Sequence, residues 1–418
     1  MFRKKLKQMG AFTLAFTMML GAVQFPVKAE GDSNVIEEGT NLDLPTVNDG
    51  ETVRFCADYE QIIGEDGTVY TPLEDKTVTG FFETTTSSGT STKESESTYI
   101  VRGQYEEDPD ANEKPAVIPE LQEWHGKTGT FVVSAASKVI IEDESLMDMA
   151  EIFQEDYRDI TGMELKEIKV GSKTDAKMCD FYFELTKEDK GLGKEGYFMD
   201  IDDAVSVEAE DAVGAYYATR TILQILKQTS GSMPKGLVRD YPKYEVRAFM
   251  LDVGRKAFSM DAVKEFAKNM SWYKLNSFQV HLNDNLIFIE DHKLPSDTPS
   301  NVDQANRLAA VAQTYEAFRL ESTKENTETG KKLTAQDLYY TKDEIRSLIQ
   351  DSRTIGIDVV PEIDMPAHAL SFTKTFPQYM SMKDSTSWGS FKYTFDELDL
   401  GEEKYDQTIA FAYSVWDE

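Results

Sequence analysis

Cysteine is nearly missing from this chain. Cys56 and Cys179 are the only two in 418 residues, and no C-x-x-C occurs, so neither a cysteine zinc site nor a dithiol redox motif follows. One disulfide is possible, but so few cysteines exclude a disulfide-built scaffold. Histidine is scarce as well, at four, and there is no H-x-H or H-E-x-x-H. The familiar metal-ligand spacings are therefore absent. Positive charge is in short supply, with 44 Lys and Arg against 75 Asp and Glu and a net charge of -31. A nucleic-acid partner needs a basic face, and so does an anionic membrane surface, so both are disfavoured as partners. The acidity itself reads as solubility rather than as a fold signal.

Long apolar runs are also missing, with one exception. Arg3, Lys4, Lys5 and Lys7 precede an apolar stretch from Ala11 to Phe25, and Val27-Lys28-Ala29 supplies a small-residue cleavage site. Residues 1–29 read as a secretory signal peptide cut after Ala29. The run is short for a span, which takes roughly 20 residues. The expectation is a secreted or bacterial cell-surface protein with no membrane insertion after cleavage.

What is present falls into three further segments. Residues 30–112 are polar and strand-like, with Asp-Gly turns at Asp49-Gly50 and Asp66-Gly67. Thr84 to Thr98 is Ser/Thr-rich and reads as a flexible tip or linker, the whole as a β-rich accessory region. Residues 113–243 mix strand runs (Thr130 to Val133, Lys138 to Ile141, Phe181 to Leu185) with helical periodicity in Met147 to Ile160 and Ala212 to Leu226. This predicts a small α+β domain. From residue 244 to 418 the rhythm is strand, helix, strand, helix, strand. The strands are Val246 to Val253, Ser277 to Leu282 and Ile357 to Ile363. Ser259 caps the first helix, and Thr341-Lys342-Asp343-Glu344 forms a capping box for the second, closed by Gly356. Tyr405, Ile409, Ala412, Tyr413 and Trp416 mark the apolar face of a last helix. That order predicts a parallel sheet covered on both sides. The fold class is α/β: an incomplete (β/α)8 TIM barrel preceded by a small α+β domain. Residues 285–340 form a long excursion after the second strand, where barrel enzymes place functional loops.

Polar residues collect at the C-terminal ends of these strands, where barrels build active sites. Asp252 and Arg255 follow the first. His281, Asn283, Asp284 and Asn285 follow the second. Glu362, Asp364 and His368 follow the third. Each has a bland reading. Arg255 could be a surface cation, although the dipole at a helix start disfavours one. Asp284 could cap a turn, and His368 could be a satisfied core histidine. Their convergence on three strand ends favours one polar site. His281, Asp284, Glu362, Asp364 and His368 lack the spacing of a metal set.

The same residues carry a family resemblance. Leu251-Asp252-Val253-Gly254-Arg255, Lys274-Leu275-Asn276, His281-Leu282-Asn283-Asp284 and Pro361-Glu362-Ile363-Asp364-Met365-Pro366-Ala367-His368, in that order, resemble glycoside hydrolase family 20. That family includes β-N-acetylhexosaminidases and lacto-N-biosidases. Upstream, Glu195-Gly196-Tyr197, Gly214 and the run from Tyr217 to Gln224 resemble its α+β domain, so the resemblance covers about residues 116–418. It implies that Arg255 hydrogen-bonds sugar hydroxyls, a role suited to a forked donor. It further implies that Asp284 holds His368, that His368 holds a general-acid glutamate, and that Glu362 and Asp364 complete the substrate-binding set. The partner is an oligosaccharide or glycoconjugate bearing N-acetylhexosamine, and no metal or organic cofactor is needed. The implied chemistry is substrate-assisted retention, in which the sugar's own 2-acetamido oxygen attacks the anomeric carbon. Ala317-Phe318-Arg319-Leu320-Glu321 resembles the family's W-R-L-E segment. Ala367 stands where many members have glycine, and Asn285 where many have aspartate. The His-Leu-Asn-Asp-Asn segment and the insertion after it resemble the lacto-N-biosidase side of the family.

The family's catalytic Asp-Glu pair follows a fourth strand and a His-x-Gly-x turn, and neither occurs here. Asp417-Glu418 follows the amphipathic segment Phe411 to Trp416 and reads as surface helix, because catalytic barrel residues belong at strand ends. On this reading the catalytic pair is expected beyond Glu418. The chain is then the front part of a longer enzyme, poorly folded and inactive alone. The competing readings are a non-catalytic surface glycan-binding protein with a degenerate barrel, and a metal-dependent barrel hydrolase.

Overall fold

The computed structural model describes residues 34–287, 315–381 and 397–418. The expected signal peptide, residues 1–29, lies outside them, as does the side chain of Asn285. Two compact units divide the chain at Glu106/Glu107.

The first unit is a five-stranded sheet. Its strands are β1 (Asn34–Ile36), β2 (Thr52–Ala57), β3 (Lys76–Thr85), β4 (Ser91–Lys93) and β5 (Ser97–Val101), in the order β1-β5-β3-β2 with β4 on β3. Phe55, Ile62, Ile63, Leu73, Val78 and Tyr99 are buried in it. The Ser/Thr-rich stretch is therefore not a linker. Its threonines pair across β3 and β4, Thr84 with Thr92 and Thr85 with Ser91, as β-branched residues do on a pleated surface.

The second unit opens with a seven-stranded mixed sheet. Its strands are β6 (Glu123–Val132), β7 (Val139–Ile141), β8 (Ile168–Val170), β9 (Phe181–Leu185), β10 (Tyr197–Ile201), β11 (Val205–Ala209) and β12 (Ser232–Asp240), in the order β6-β12-β10-β11-β9-β7-β8. Two helices pack on it, α1 (Met147–Thr161) and α2 (Ala212–Thr229). Met149, Phe153 and Tyr157 on α1 meet Phe181 and Phe183 of the sheet. Every residue of α2 from Gly214 to Leu226 is buried, the mark of a helix covered on all sides. Its far side meets the next module. Tyr216 shares a 2.9 Å hydrogen bond with Ser271, Tyr217 donates to the Gly356 carbonyl at 3.0 Å, and Gln224 donates to the Trp272 carbonyl at 3.0 Å.

That module is a parallel sheet of β13 (Ala248–Asp252), β14 (Ser277–His281) and β19 (Asp358–Glu362), in the order β13-β14-β19. Between β14 and β19 lie two short antiparallel pairs, β15 (Asn283–Ile287) with β16 (Tyr315–Phe318) and β17 (Glu325–Asn326) with β18 (Lys331–Lys332). The crossover helices are α3 (Met260–Trp272) and α4 (Lys342–Thr354). Both caps form as the sequence predicts. Ser259 Oγ accepts from the Ala262 N–H, and Thr341 and Glu344 close a reciprocal box. Leu251, Val253, Phe278, Val280, Leu282 and Ile357 pack under these helices. The opposite face behaves differently from the expectation of a sheet covered on both sides. Met250 and Val360 are exposed there, because alternate strand residues point away from the only helices packed on this sheet among the described residues.

Two short segments complete the chain, α5 (Leu370–Thr375) and α6 (Tyr405–Trp416). The apolar face expected for α6 is rotated. Thr408, Phe411 and Val415 are buried, whereas Tyr405, Tyr413 and Trp416 are exposed. Phe411 is drawn in by Phe372, Phe376 and Tyr379. With aromatics all round α6, periodicity alone does not choose the buried stripe.

Candidate active site

Register fixes the site. Asp252 pairs with His281 and His281 with Glu362 across the three parallel strands, so these side chains stand at one level. One layer below, Met250 pairs with Gln279 and Gln279 with Val360. Both layers lie on the face away from the helices, which in a barrel is the interior.

Asp284 is the hub. It is 2% exposed, and burial of a carboxylate is costly unless it is paired. Its partners include two histidines and an arginine. Oδ1 lies 2.6 Å from His368 Nδ1, and Oδ2 lies 2.7 Å from His281 Nε2 and 2.6 Å from an Arg255 guanidinium nitrogen. A carboxylate only accepts, so each facing ring nitrogen donates its N–H. Arg255 also ion-pairs Asp252 at 2.7 Å and takes its backbone N–H to the same carboxylate at 2.9 Å. Its side chain remains 46% exposed, open to a ligand. Gly254 makes this approach possible. A Cβ there would lie 2.9 Å from the Asn283 carbonyl carbon and 3.0 Å from the Asp284 nitrogen.

The third strand end is held by Asn283. Its fully buried amide donates to the Asp364 and His368 carbonyls at 3.0 Å each, and its oxygen accepts the Asp364 N–H at 3.0 Å. His368 sits at a left-handed φ of 55°, a strained backbone that persists only where its surroundings enforce it. Glu362 accepts from Gln279 at 2.7 Å and lies 2.9 Å from His281 Nδ1, off the hydrogen-bond direction. Asp364 joins His281 and Glu362 with ligand atoms within 4.8 Å of one another, as do Asp252, His281 and Asp284. In the second group the donor oxygens are engaged by Arg255, whose fixed positive charge stands where a cation would.

All five sequence-selected residues, Arg255, Asp284, Glu362, Asp364 and His368, thus come together. His281 and Asn283 were read only as polar residues at a strand end. The structure makes them the inner partner of Asp284 and the clamp of the His368 loop. The signal for His281 was parity: Gln279 and His281 alternate with the apolar Phe278, Val280 and Leu282. Arg319 is not in the site. It is buried behind it, donating to the carbonyls of Val253 (3.0 Å) and Leu338 (2.8 Å) and ion-paired to Asp337. Nor is Glu418 a surface residue. Its carboxylate takes the Ser322 hydroxyl at 2.8 Å and the Thr323 N–H at 2.5 Å, beside Lys342. The free cysteines Cys56 and Cys179 fall in different units.

The chain is similar to known proteins in sequence and in fold. Residues 114–241 match Glycosyl hydrolase family 20, domain 2, and residues 244–418 match Glycosyl hydrolase family 20, catalytic domain. A lacto-N-biosidase of Bifidobacterium bifidum is 24% identical over 273 residues, covering 65% of this chain and 21% of that protein. A beta-hexosaminidase of Porphyromonas gingivalis is 26% identical over 273 residues, covering 63% and 32%. This chain therefore spans about a fifth to a third of the length of these curated relatives. Among solved structures, a Streptomyces plicatus beta-hexosaminidase superposes with a TM-score of 0.54 at 20% identity, covering 74% of this chain and 57% of that one. A Flavobacterium johnsoniae chitobiase gives 0.53 at 22%, covering 71% and 42%. With the α+β domain and the barrel segment both matched, and in that order, the chain belongs to glycoside hydrolase family 20.

Proposed function

We propose that this chain is the sugar-holding part of a secreted or cell-surface glycosidase. It releases terminal β-linked N-acetylhexosamine, or lacto-N-biose, from glycans. The observation that carries the reading is the Asp284–His368 pair at 2.6 Å beside the open fork of Arg255. Arg255 reaches past the buried hub to bind hydroxyls of the terminal sugar. Asp284 fixes the ring of His368 by accepting a hydrogen bond from Nδ1–H, which leaves the second ring nitrogen to face the ligand side. In the family's chemistry that group is the general-acid glutamate, and the substrate's acetamido oxygen is the nucleophile. The carboxylates described here supply binding and orientation.

The second reading is a non-catalytic glycan binder that keeps Arg255 and Asp284 for sugar contact. One experiment separates the two. The complete gene product is assayed with a chromogenic β-N-acetylglucosaminide and a lacto-N-biose glycoside, and N-acetylglucosamine binding is measured in parallel. Cleavage of either glycoside supports the enzyme, and the preferred one identifies the released unit. Binding without cleavage supports the binder. Neither binding nor cleavage sinks both.

A further inference from the structure

The relay from Asp284 to His368 has a second imidazole behind it. His281 is 5% exposed and sits between two carboxylates, with Asp284 2.7 Å from Nε2 and Glu362 2.9 Å from Nδ1. A neutral imidazole carries one N–H. It donates through Nε2 to Asp284, and Nδ1, without a hydrogen-bond partner, then lies 2.9 Å from the Glu362 carboxylate, off the hydrogen-bond direction. A second proton on Nδ1 turns that close approach into an ion pair.

We propose that His281 is an imidazolium bridging Asp284 and Glu362, an inner positioning residue that keeps Asp284 oriented toward His368 when a ligand engages Arg255. The proposal deepens the glycosidase reading for its kinetic part, whereas its protonation part stands on geometry alone. Asp284 has two cationic partners on one oxygen, and they differ in placement. Arg255 is half-exposed, on the side from which a sugar arrives, and His281 is enclosed. A ligand that draws the guanidinium outward leaves the buried carboxylate to His281.

The groups facing His281 favour the charged ring. Asp252 comes from β13, Asp284 from β15, Glu362 from the end of β19 and Asp364 from just beyond it. Opposing them are Arg255, bonded to Asp252 and Asp284, and His368, whose ring centroid is 6.4 Å away. Among the described residues, four carboxylates thus surround the ring against one fixed cation and one further imidazole. Burial alone pulls the His281 pKa down, but the contacts with Asp284 and Glu362 outweigh it, and the net direction is above 6.5.

With only four histidines in the chain, imidazole nitrogen NMR on the full-length chain reads the ring directly, His281→Gln giving the assignment. The expected result is a His281 ring protonated at both nitrogens at neutral pH, with its midpoint above the ordinary 6.5. Glu362→Gln, at a side chain partly open to solvent, should move that midpoint down. A singly protonated ring at neutral pH, a midpoint at or below 6.5, or indifference to Glu362→Gln overturns the proposal. In the glycoside assay, His281→Gln should lower kcat at least about tenfold with little change in KM and alter the pH profile, as for loss of an orienting group. Unchanged kcat and an unchanged profile overturn the positioning role. If the complete gene product cleaves nothing, it is the glycosidase reading that fails, and the NMR result still decides the charge on His281.

Discussion

Lys274 and Asp240 form a 2.7 Å ion pair across the seam between the mixed sheet and the parallel sheet, each side chain 7% exposed. Lys274 Nζ also donates to the hydroxyls of Tyr197 (3.0 Å) and Thr221 (2.8 Å), so all three of its N–H groups have partners. The seam continues through Arg247 with Glu195 at 2.9 Å and Lys268 with Asp156 at 3.0 Å. Of these pairs only Lys274–Asp240 is buried on both sides; Arg247 and Glu195 are partly exposed, and Lys268 is 51% exposed.

Lys274→Met should therefore destabilise the chain by about 3–5 kcal/mol, because it leaves Asp240 buried without its cation. Denaturant unfolding of the parent, Lys274→Met and the Lys274→Met/Asp240→Leu pair checks this. The double change is expected to recover much of the loss. A single variant as stable as the parent would remove the ion pair from the account of the seam.

Gly254→Ala should cost about 1–3 kcal/mol, as overpacking does, and should disturb the site more than the fold. The added Cβ meets the backbone of Asn283 and Asp284, which cannot rotate away as a side chain would. Thermal unfolding together with N-acetylglucosamine binding tests it. Unaltered affinity in the alanine variant would show that the approach is slack.

Arg255→Lys and Asp284→Asn should separate binding from orientation. The lysine keeps a charge but loses the fork that spans Asp252 and Asp284, so the Kd for N-acetylglucosamine should rise about tenfold, the worth of one charge-assisted hydrogen bond. Asp284→Asn keeps the shape but can no longer accept from His281, His368 and Arg255 together. In the glycoside assay its kcat should fall by about 10²-fold or more. Equal effects of the two substitutions on Kd and kcat would contradict this division of labour.

Acid should release the Glu418 clamp. Burial alone would push this carboxyl up, but the N–H and hydroxyl of Thr323, the hydroxyl of Ser322 and nearby Lys342 bring it down to about 2. A carboxyl depressed in the folded state contributes stability above its ordinary 4.5 that is lost as pH falls toward 2. Glu418→Gln should therefore be less stable than the parent at neutral pH, the gap closing as pH drops through that window. A gap independent of pH would show that packing, not the charge, holds the segment.

Much of this molecule is legible in one dimension. Signals confined to a few neighbouring residues place elements well: the Thr341–Glu344 capping box, the Ser259 cap, and the alternation of Phe278, Val280 and Leu282. The order of short motifs from Leu251 to His368 announces the family. Reading failed where neighbours in space decide. Thr84 to Thr98 lacks apolar periodicity because its pairing partners, not its own side chains, make it a sheet. The face of α6 was misjudged because Phe372, Phe376 and Tyr379 lie far back in the chain.

The candidate site divides in the same way. The sequence by itself determined which chemical groups end each strand, since strand parity and the following turn are local properties. It did not determine that Asp252, His281 and Glu362 share one level. That depends on the register of three strands separated by two crossovers, and a one-residue slip would send each side chain to the helix face. Nor could it show that His281 lies between two carboxylates while Arg255 stays open. That difference is one of burial, and burial exists only once the strands, the Asn283 clamp and Gly254 have closed around Asp284.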